Sequence, residues 1–570
     1  MRRGFLALSL LLATLPACSD SSTEFWQSSN DVLPTVMLED HVAVVEKNSA
    51  TAFVLDPGDP SLTPKLAAVG KNPVTAVKHN GGNQLLVLSA GDHGSADKQP
   101  VPAKLVVVSP AAIDSPTAYE LGSQFDGVAQ SDEGRFAVLY HTSSTQDVNS
   151  GALFNPNDLE VADFGDTHAA EPTLTPKPIR SLGGVPSTSN PSASPIQFSP
   201  DYIFPAGTSR LAVVLSQDYV TVFDLYHLDH DEISVPLCPA GGTCNYSVDQ
   251  VVFDPANSQP SSAINIYVRT NSAKDIFQIT FTDTGPAGPT ASGNSFIASL
   301  SMFAVGASSA DMVLFGTGED ARLGVVTPDA RNLVILDPKT GSGVPLPLPI
   351  PANTIVPFVT TDPSTARQET RAMLLDLQRG STSVLSVDLD AAKAANGLTP
   401  DQYAIPGAAT LVVPLQSQGI AFLMYGRSSS NAVFSVVNLA DKLSLFDFNS
   451  SSALGAAFLE NRKLSTGDRG TRLWSVDSPD GGRPSPNSGI HFLDLVPRGQ
   501  PSTSIWLDET IASITPLFNP SSDGIRYLVL EQTPNAYGNL TFVNADNPDR
   551  ATARTARGFL FASYLGRTAP

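Results

Sequence analysis

Residues 323–341 read LGVVTPDARNLVILDPKTG, in which two short apolar runs are separated by a polar turn and followed by a second turn. Short runs of aliphatic and β-branched residues bounded by Pro, Asp, Asn and Gly are typical of β-strands rather than helices. This stretch therefore predicts a pair of short strands joined by a turn.

The same pair of apolar runs recurs along the chain, at residues 84–88 with 104–108, 210–214 with 220–224, 264–268 with 276–279, 373–375 with 384–388, and 527–530 with 540–543. A further apolar run precedes several pairs, at residues 73–77, 195–198 and 514–518. The second strand of each pair returns about every 50 to 60 residues, a period in the range of propeller blades. The pattern indicates three strands per unit, with room for a fourth.

The composition also favours an all-β chain. Hydrophobic residues make up 41% of the 570 residues, and the 46 prolines and 42 glycines are spread along the whole length, where they interrupt helices. Four-stranded antiparallel blades around an axis would leave only short strand edges exposed. We therefore predict a β-propeller of about seven to ten blade-like units, either one large propeller or two smaller ones, with some hairpins as insertions.

The turns between the strands resemble those of lactonase-like and quinoprotein-like β-propellers. The residues that carry the resemblance are Asp337-Pro338-Lys339-Thr340-Gly341, Asp56-Pro57-Gly58 and Phe198-Ser199-Pro200. The resemblance covers roughly residues 32–570 and implies a propeller fold, but its motifs are not specific to one activity. No Trp-Asp dipeptide occurs, so the WD40 subtype is not supported.

The first unit, at residues 42–45 and 52–55, lacks an obvious complete set of strands. A terminal strand at residues 558–562 would complete it and join the two ends of the ring. This arrangement is an expectation about how the propeller closes.

The N-terminus has the parts of a secretory signal. Arg2 and Arg3 precede an apolar run from Phe5 to Leu15, and a small residue, Ala17, follows. The run corresponds to roughly 16 Å of helix, whereas a bilayer core is about 30 Å thick, so a retained transmembrane helix is not expected. Residues 1–17 are predicted to be a cleaved signal peptide.

The stretch Leu15-Pro16-Ala17-Cys18 resembles the lipobox of bacterial lipoproteins, in which the cysteine is acylated, with palmitate among its acyl chains, and becomes the mature first residue. The alternative is an ordinary secretory signal with an incidental cysteine. Residues 18–31 are polar and small at their start and are predicted to form a tether. Ser19 directly after Cys18 favours sorting to the outer membrane of the bacterial cell envelope.

The formal net charge of −21 becomes −23 when the signal with Arg2 and Arg3 is removed. Nucleic-acid binding needs clustered Lys and Arg for phosphate contacts, and this chain does not supply them. An acidic surface is compatible with solubility or with cation binding. We therefore expect no nucleic-acid partner.

Cys238 and Cys244 flank a Pro/Gly-rich segment, Pro239-Ala240-Gly241-Gly242-Thr243. An exported compartment is oxidising, so a local disulfide is predicted between them. These two thiols alone would lack two ligands for a closed tetrahedral zinc site.

The densest polar cluster is His227-Leu228-Asp229-His230-Asp231-Glu232. If this segment is extended, His227, Asp229 and Asp231 lie on one face and form a candidate divalent-cation site. The alternative is a solvated connection between strands. Asp92-His93 and Asp166-Thr167-His168 are further loop pairs that a substrate pocket would have to surround before they could act as bases.

No linear catalytic motif is present: we find no G-x-S-x-G, no H-E-x-x-H and no phosphate-binding G-x-x-x-x-G-K. The favoured function is a non-catalytic scaffold for a protein, peptide or glycan partner, without a required cofactor. The alternative is a propeller enzyme, a lactonase-like hydrolase or a quinoprotein-like oxidoreductase, with its site in the central funnel.

Overall fold

The chain folds into ten four-stranded antiparallel sheets within the part that the computed structural model describes. That part is residues 32–556 without residues 60, 93–98, 143–154, 167–170, 181–184, 189–193, 218, 239–243, 245, 256–259, 287–292, 362–367, 393–398, 416–419, 426–431, 439–443, 450–453, 464–468, 478–487, 497–502, 508–509, 518–525, 533–537 and 545–552.

Each sheet is a meander whose four strands follow one another along the chain, and the sheets are numbered here in chain order. The strands of sheets 1 to 3 are Val36–Met37, Val42–Glu46, Thr51–Leu55 and Lys65–Ala68; Pro73–Lys78, Leu85–Ser89, Lys104–Val108 and Thr117–Glu120; and Gly127–Gln130, Phe136–Tyr140, Glu160–Asp163 and Thr173–Pro176. Those of sheets 4 and 5 are Ile196–Phe198, Leu211–Leu215, Tyr219–Asp224 and Ile233–Pro236; and Val248–Phe253, Ala263–Thr270, Asp275–Gly285 and Ser295–Ala304.

The second half of the chain repeats the arrangement. The strands of sheets 6 to 8 are Asp311–Phe315, Arg322–Thr327, Asn332–Leu336 and Gly343–Pro347; Thr354–Thr361, Gln368–Leu375, Ser383–Asp388 and Asp401–Ala404; and Ala409–Leu415, Ile420–Tyr425, Ala432–Asn438 and Ser444–Asn449. Those of sheets 9 and 10 are Leu454–Lys463, Arg469–Asp477, Ser488–Val496 and Thr503–Leu507; and Thr510–Leu517, Arg526–Gln532, Gly538–Asn544 and Arg554–Ala556.

Helix is confined to three short elements in the described residues: the α-helix Leu389–Ala392 and the 3₁₀ turns Pro110–Ala112 and Gly318–Asp320. One two-stranded hairpin, Tyr202–Phe204 with Gly207–Ser209, is inserted in sheet 4 between its first and second strands. The predicted all-β propeller of four-stranded blades is therefore confirmed. The inserted hairpin is not one of the strand pairs recognised in the sequence, since all of those pairs belong to four-stranded sheets.

The inner strands are continuous apolar runs because both faces of each sheet are buried. In the second strand of sheet 2, Leu85 and Val87 pack towards sheet 1, whereas Leu86 and Leu88 pack towards sheet 3. Successive side chains of a strand point to opposite faces, so one strand supplies two cores. A shared hydrophobic cluster of this kind lies between every consecutive pair of sheets from 1 to 8.

Sheet 10 shares a core with sheet 1. Leu540 and Phe542 of sheet 10 lie in one hydrophobic cluster with Val42, Val44 and Phe53 of sheet 1. The Arg554 guanidinium adds hydrogen bonds to the carbonyl oxygens of Pro57 and Asp59. This order of neighbours is the one expected for a single large ring.

The first unit differs from the prediction. Sheet 1 has four strands of its own, because Val36–Met37 pairs with Val42–Glu46 and Lys65–Ala68 pairs with Thr51–Leu55. It therefore does not need the terminal segment to complete it, and residues 558–562 lie outside the described residues.

Candidate functional site

The polar cluster His227–Glu232 is a turn in the structure. It connects the third strand of sheet 4, Tyr219–Asp224, to the outer strand Ile233–Pro236. The His227 backbone N–H donates to the Asp224 carbonyl at 3.3 Å, and the His230 N–H donates to the His227 carbonyl at 3.1 Å. The extended conformation that would put His227, Asp229 and Asp231 on one face is therefore wrong.

The buried carboxylate of Asp224 holds the start of this turn. Its Oδ2 accepts hydrogen bonds from Ser209 Oγ and from His227 Nδ1, both at 2.8 Å. Its Oδ1 accepts from the backbone N–H of Tyr226 at 3.0 Å and of Arg210 at 3.3 Å. These four donors hold the carboxylate in place, and the bond from Nδ1 in turn orients the His227 ring.

The His227 ring is enclosed on two further sides. The His230 ring stacks on it, with centroids 5.2 Å apart and planes inclined by 15°. Gly293, which precedes the outer strand of sheet 5, packs closely against it: a Cβ on Gly293 would lie 2.2 Å from His227 Cδ2. Only glycine leaves room for the ring here.

Lys177, directly after the outer strand of sheet 3, anchors the middle of the turn. Its ammonium donates to the carbonyl oxygens of Leu228, at 3.1 Å, and of His230. The side chain is buried and lies over the Phe223 ring, 6.0 Å from its centroid. Burial lowers the pKa of Lys177, against the opposing effect of the nearby Glu232 and Asp231 carboxylates.

Arg180 anchors the end of the turn from the same side. Its backbone N–H donates to Glu232 Oε1, and its guanidinium lies 2.8 Å from an Asp231 carboxylate oxygen. Asp231 therefore already has a cationic partner, although both side chains are largely exposed and the pair contributes little stability.

Asn294, which comes directly before the outer strand of sheet 5, lies opposite this turn. Its Nδ2 donates to Ser209 Oγ at 2.5 Å and to the Gly207 carbonyl at 3.3 Å. The residue is only 1% exposed, and its Oδ1 is buried without a hydrogen-bond partner. Both ring nitrogens of His230 are likewise buried without a partner.

A pocket of about 480 Å³ lies beside this turn, between the outer parts of sheets 4 and 5. None of its lining residues belongs to the first strand of either sheet, so the pocket lies away from that edge of both sheets. The lining consists of four acidic residues, three phenylalanines and their neighbours: Leu211, Val222, Phe223, Asp224, Asp229, His230, Asp231, Glu232, Ile233, Phe281, Asn294, Ser295 and Phe296.

The predicted metal ligands do not converge. His227 is bonded to Asp224 and Asp231 to Arg180, and across the described ranges no three His, Cys, Asp or Glu side chains are placed to hold one metal ion. The cluster is instead one wall of the pocket, which Asp229 lines together with Asp231.

The other candidate residues are distributed as follows. Asp92 pairs with Lys71, and Asp166 pairs with Arg135. Their histidine neighbours, His93 and His168, lie outside the described residues, as does Cys18 with the whole of 1–31. Within the described part of the chain no helix is long and apolar enough to cross a membrane.

The predicted disulfide is present in the structure, where Cys238 and Cys244 are bonded with their Cα atoms 5.6 Å apart. Cys238 comes two residues after the outer strand of sheet 4.

Replacing both cysteines by serine is expected to destabilise the protein by about 2 kcal/mol, because the bond closes a short loop and so restricts the unfolded chain only modestly. Urea unfolding checks this value. Labelling of either thiol by an alkylating reagent in the oxidised, unreduced protein would contradict the pairing.

Sequence reasoning missed Asp224, Lys177, Gly293 and Asn294. They come from sheets 3, 4 and 5, and more than 100 residues separate Lys177 from Asn294 along the chain. No local spacing could have grouped them. The one local signal of the site in the sequence was the acidic segment itself, which the sequence analysis did identify.

No family model and no curated protein matches this chain. Solved structures that resemble it include the dihydro-heme d1 dehydrogenase NirN in complex with DHE, at 10% identity and a TM-score of 0.37, covering 82% of this chain and 74% of that one. AztD from Citrobacter koseri is 10% identical with a TM-score of 0.27, covering 67% and 87%.

A third, the Cps50 (Swd1) β-propeller domain from Myceliophteria thermophila, is 11% identical with a TM-score of 0.24, covering 63% and 96%. These similarities concern the fold and carry no function to this chain. The ten four-stranded sheets, with shared cores between neighbours, identify the chain as a β-propeller protein.

Proposed function

We propose that this protein is an exported lipoprotein, acylated at Cys18, whose propeller is a non-catalytic scaffold that binds a protein, peptide or glycan partner at the outer membrane. The observation that supports binding is the pocket between sheets 4 and 5, whose acidic wall is held in place from sheet 3 by Lys177 and Arg180. A fixed wall binds with little loss of conformational entropy.

The enzymatic alternative, a lactonase-like hydrolase or a quinoprotein-like oxidoreductase, requires a metal or a quinone in the central funnel. No observation on the described residues favours it over binding. Recognition needs only a rigid body that presents polar and apolar groups in a fixed arrangement, and the pocket walls have that character.

Two measurements on the detergent-solubilised lipoprotein separate these functions. Elemental analysis is expected to find no stoichiometric metal, and affinity capture from a membrane extract is expected to recover a partner. Stoichiometric calcium or zinc that disappears in an Asp229→Asn/Asp231→Asn variant would overturn the scaffold proposal and favour the metal-dependent alternative.

Replacing Cys18 by serine is expected to abolish acylation, because the cysteine thiol is the site of the lipid. The variant should move from the membrane fraction to the soluble fraction and lose incorporation of labelled palmitate. Cys238→Ser/Cys244→Ser is the matched control and should keep its lipid. A Cys18→Ser protein that still carries acyl chains would refute the anchor, and sedimentation of the wild type with inner membranes would refute the outer-membrane assignment.

A further inference from the structure

We propose that the pocket between sheets 4 and 5 binds an organic cation, in which an ammonium or guanidinium group is attached to a hydrocarbon or aromatic group. This inference rests on the proposed binding function and names the class of ligand. It uses the pocket walls formed by Asp224, Asp229–Glu232 and Asn294–Phe296.

The pocket lining carries an excess of negative charge. Asp224, Asp229, Asp231 and Glu232 line the pocket, and no Lys or Arg is among its described lining residues. Lys177 and Arg180 lie behind the wall, where they offset only part of this charge. Carboxylates around a partly enclosed cavity attract a cation and repel an anion, because the low-dielectric walls focus their field.

A buried amide outside the acidic cluster also favours a ligand with N–H groups. Asn294 lines the pocket, is 1% exposed, and has an unpartnered Oδ1 because its Nδ2 is directed at Ser209 and Gly207. A buried acceptor without a donor destabilises the unliganded protein. Asn294 borders the pocket, so a small shift of its amide on ligand binding would let Oδ1 accept a hydrogen bond from a ligand N–H.

The remaining walls are apolar. Phe223, Phe281 and Phe296 contribute rings, and Leu211 and Val222 contribute aliphatic surface. Aromatic faces attract cations and also bury hydrocarbon. A ligand that carries both a cationic head and an apolar part therefore matches the lining better than a small inorganic ion.

The size and spread of the acidic groups favour the same conclusion. A volume of about 480 Å³ lies within the usual range for small-molecule pockets, roughly 300 to 1,000 Å³. The carboxylates do not converge on one point in the described residues. They therefore suit a cation whose charge lies on several N–H groups rather than a directly coordinated metal ion.

Calorimetric titration of the detergent-solubilised lipoprotein with three probes of similar shape tests this inference. Phenethylammonium carries a cation, 2-phenylethanol is neutral, and 3-phenylpropionate is an anion. We expect phenethylammonium to bind at least tenfold more tightly than the other two. Equal affinity for the cation and the neutral probe would overturn the proposal.

Variants locate the binding. Asp229→Asn/Glu232→Gln is expected to weaken phenethylammonium binding about tenfold, and the glutamine keeps an acceptor for the Arg180 N–H. Asn294→Ala should also weaken it. The matched control is Glu319→Gln, an exposed acid paired with Lys339 in sheet 6, which should leave binding unchanged. Equal losses in the control would mean non-specific attraction by the acidic surface and would refute the site.

The two proposals fail in different ways. If phenethylammonium does not bind but a partner is still captured from membrane extract, the ligand class is wrong and the scaffold stands. If the cation binds but Asp229 and Asp231 also hold a stoichiometric metal, the scaffold is wrong.

Discussion

Replacing Gly134 by alanine is expected to destabilise the protein by about 3 kcal/mol or more, from a left-handed backbone conformation together with severe overpacking. Gly134 has φ +78°, and a Cβ there would lie 1.9 Å from the backbone nitrogen and 2.5 Å from the Cα of Gly81. The turns of sheets 2 and 3 meet at this point, where the His79 ring also contacts the Gly134 carbonyl at 2.5 Å. Backbone atoms, unlike a flexible side chain, cannot move aside alone.

Gly165 provides the matched control within sheet 3. It also has a positive φ, +69°, but a Cβ there would meet nothing within 4 Å. Gly165→Ala should therefore cost only the conformational penalty of about 1 kcal/mol. Urea unfolding monitored by circular dichroism, with one m-value fitted to both variants, measures their free energies of unfolding. Equal midpoints for the two would show that the turns of sheets 2 and 3 are not in contact.

The central strands of each sheet could be predicted from the sequence because their burial leaves a strong local signal. Leu85–Ser89 and Lys104–Val108 pair with each other and are almost entirely buried, so they contain unbroken apolar runs. A propeller buries both faces of such strands, and the run is then visible without any knowledge of the partner sheet.

The outer strands could not be predicted in the same way. Lys65–Ala68 is mostly exposed, Thr117–Glu120 has no buried residue, and Gly343–Pro347 contains two prolines. They lie at the edge of their sheets, where proline and charged residues are tolerated because one side of the backbone needs no partner. They contain no run of β-branched or large aliphatic residues that would distinguish them from loops, which is why sheet 1 lacked a complete set of strands in the sequence analysis.

The candidate site was only partly predictable for a different reason. The acidic residues at 227–232 were visible as a cluster, but their conformation depends on Asp224, which is buried and accepts bonds from Ser209, Arg210 and Tyr226. Its carboxylate competes with strand formation by bonding nearby N–H groups, as Asp does at turns. The extended geometry assumed for a metal site ignored this competition.

The contact between sheets 1 and 10 has the greatest consequence for the whole molecule, because it joins segments almost 500 residues apart in sequence. Phe53 is 1% exposed in the cluster that also contains Leu540 and Phe542. Phe53→Ala is expected to destabilise the protein by about 4 kcal/mol, through lost burial and the cavity left behind. We expect hydrogen exchange to accelerate in both Val42–Glu46 and Gly538–Asn544.

Phe277→Ala is the matched control, since Phe277 is equally buried but lies between sheets 4 and 5. It should cost a similar free energy of unfolding, while its largest local loss of protection falls in Ala263–Thr270 and Tyr219–Asp224. Local openings of a repeat architecture reflect the contacts of each unit with its immediate neighbours, so the two variants should give different exchange maps. If Phe53→Ala left Gly538–Asn544 as protected as in Phe277→Ala, sheet 10 would not depend on sheet 1, and an open arc or two separate propellers would be favoured over a single ring.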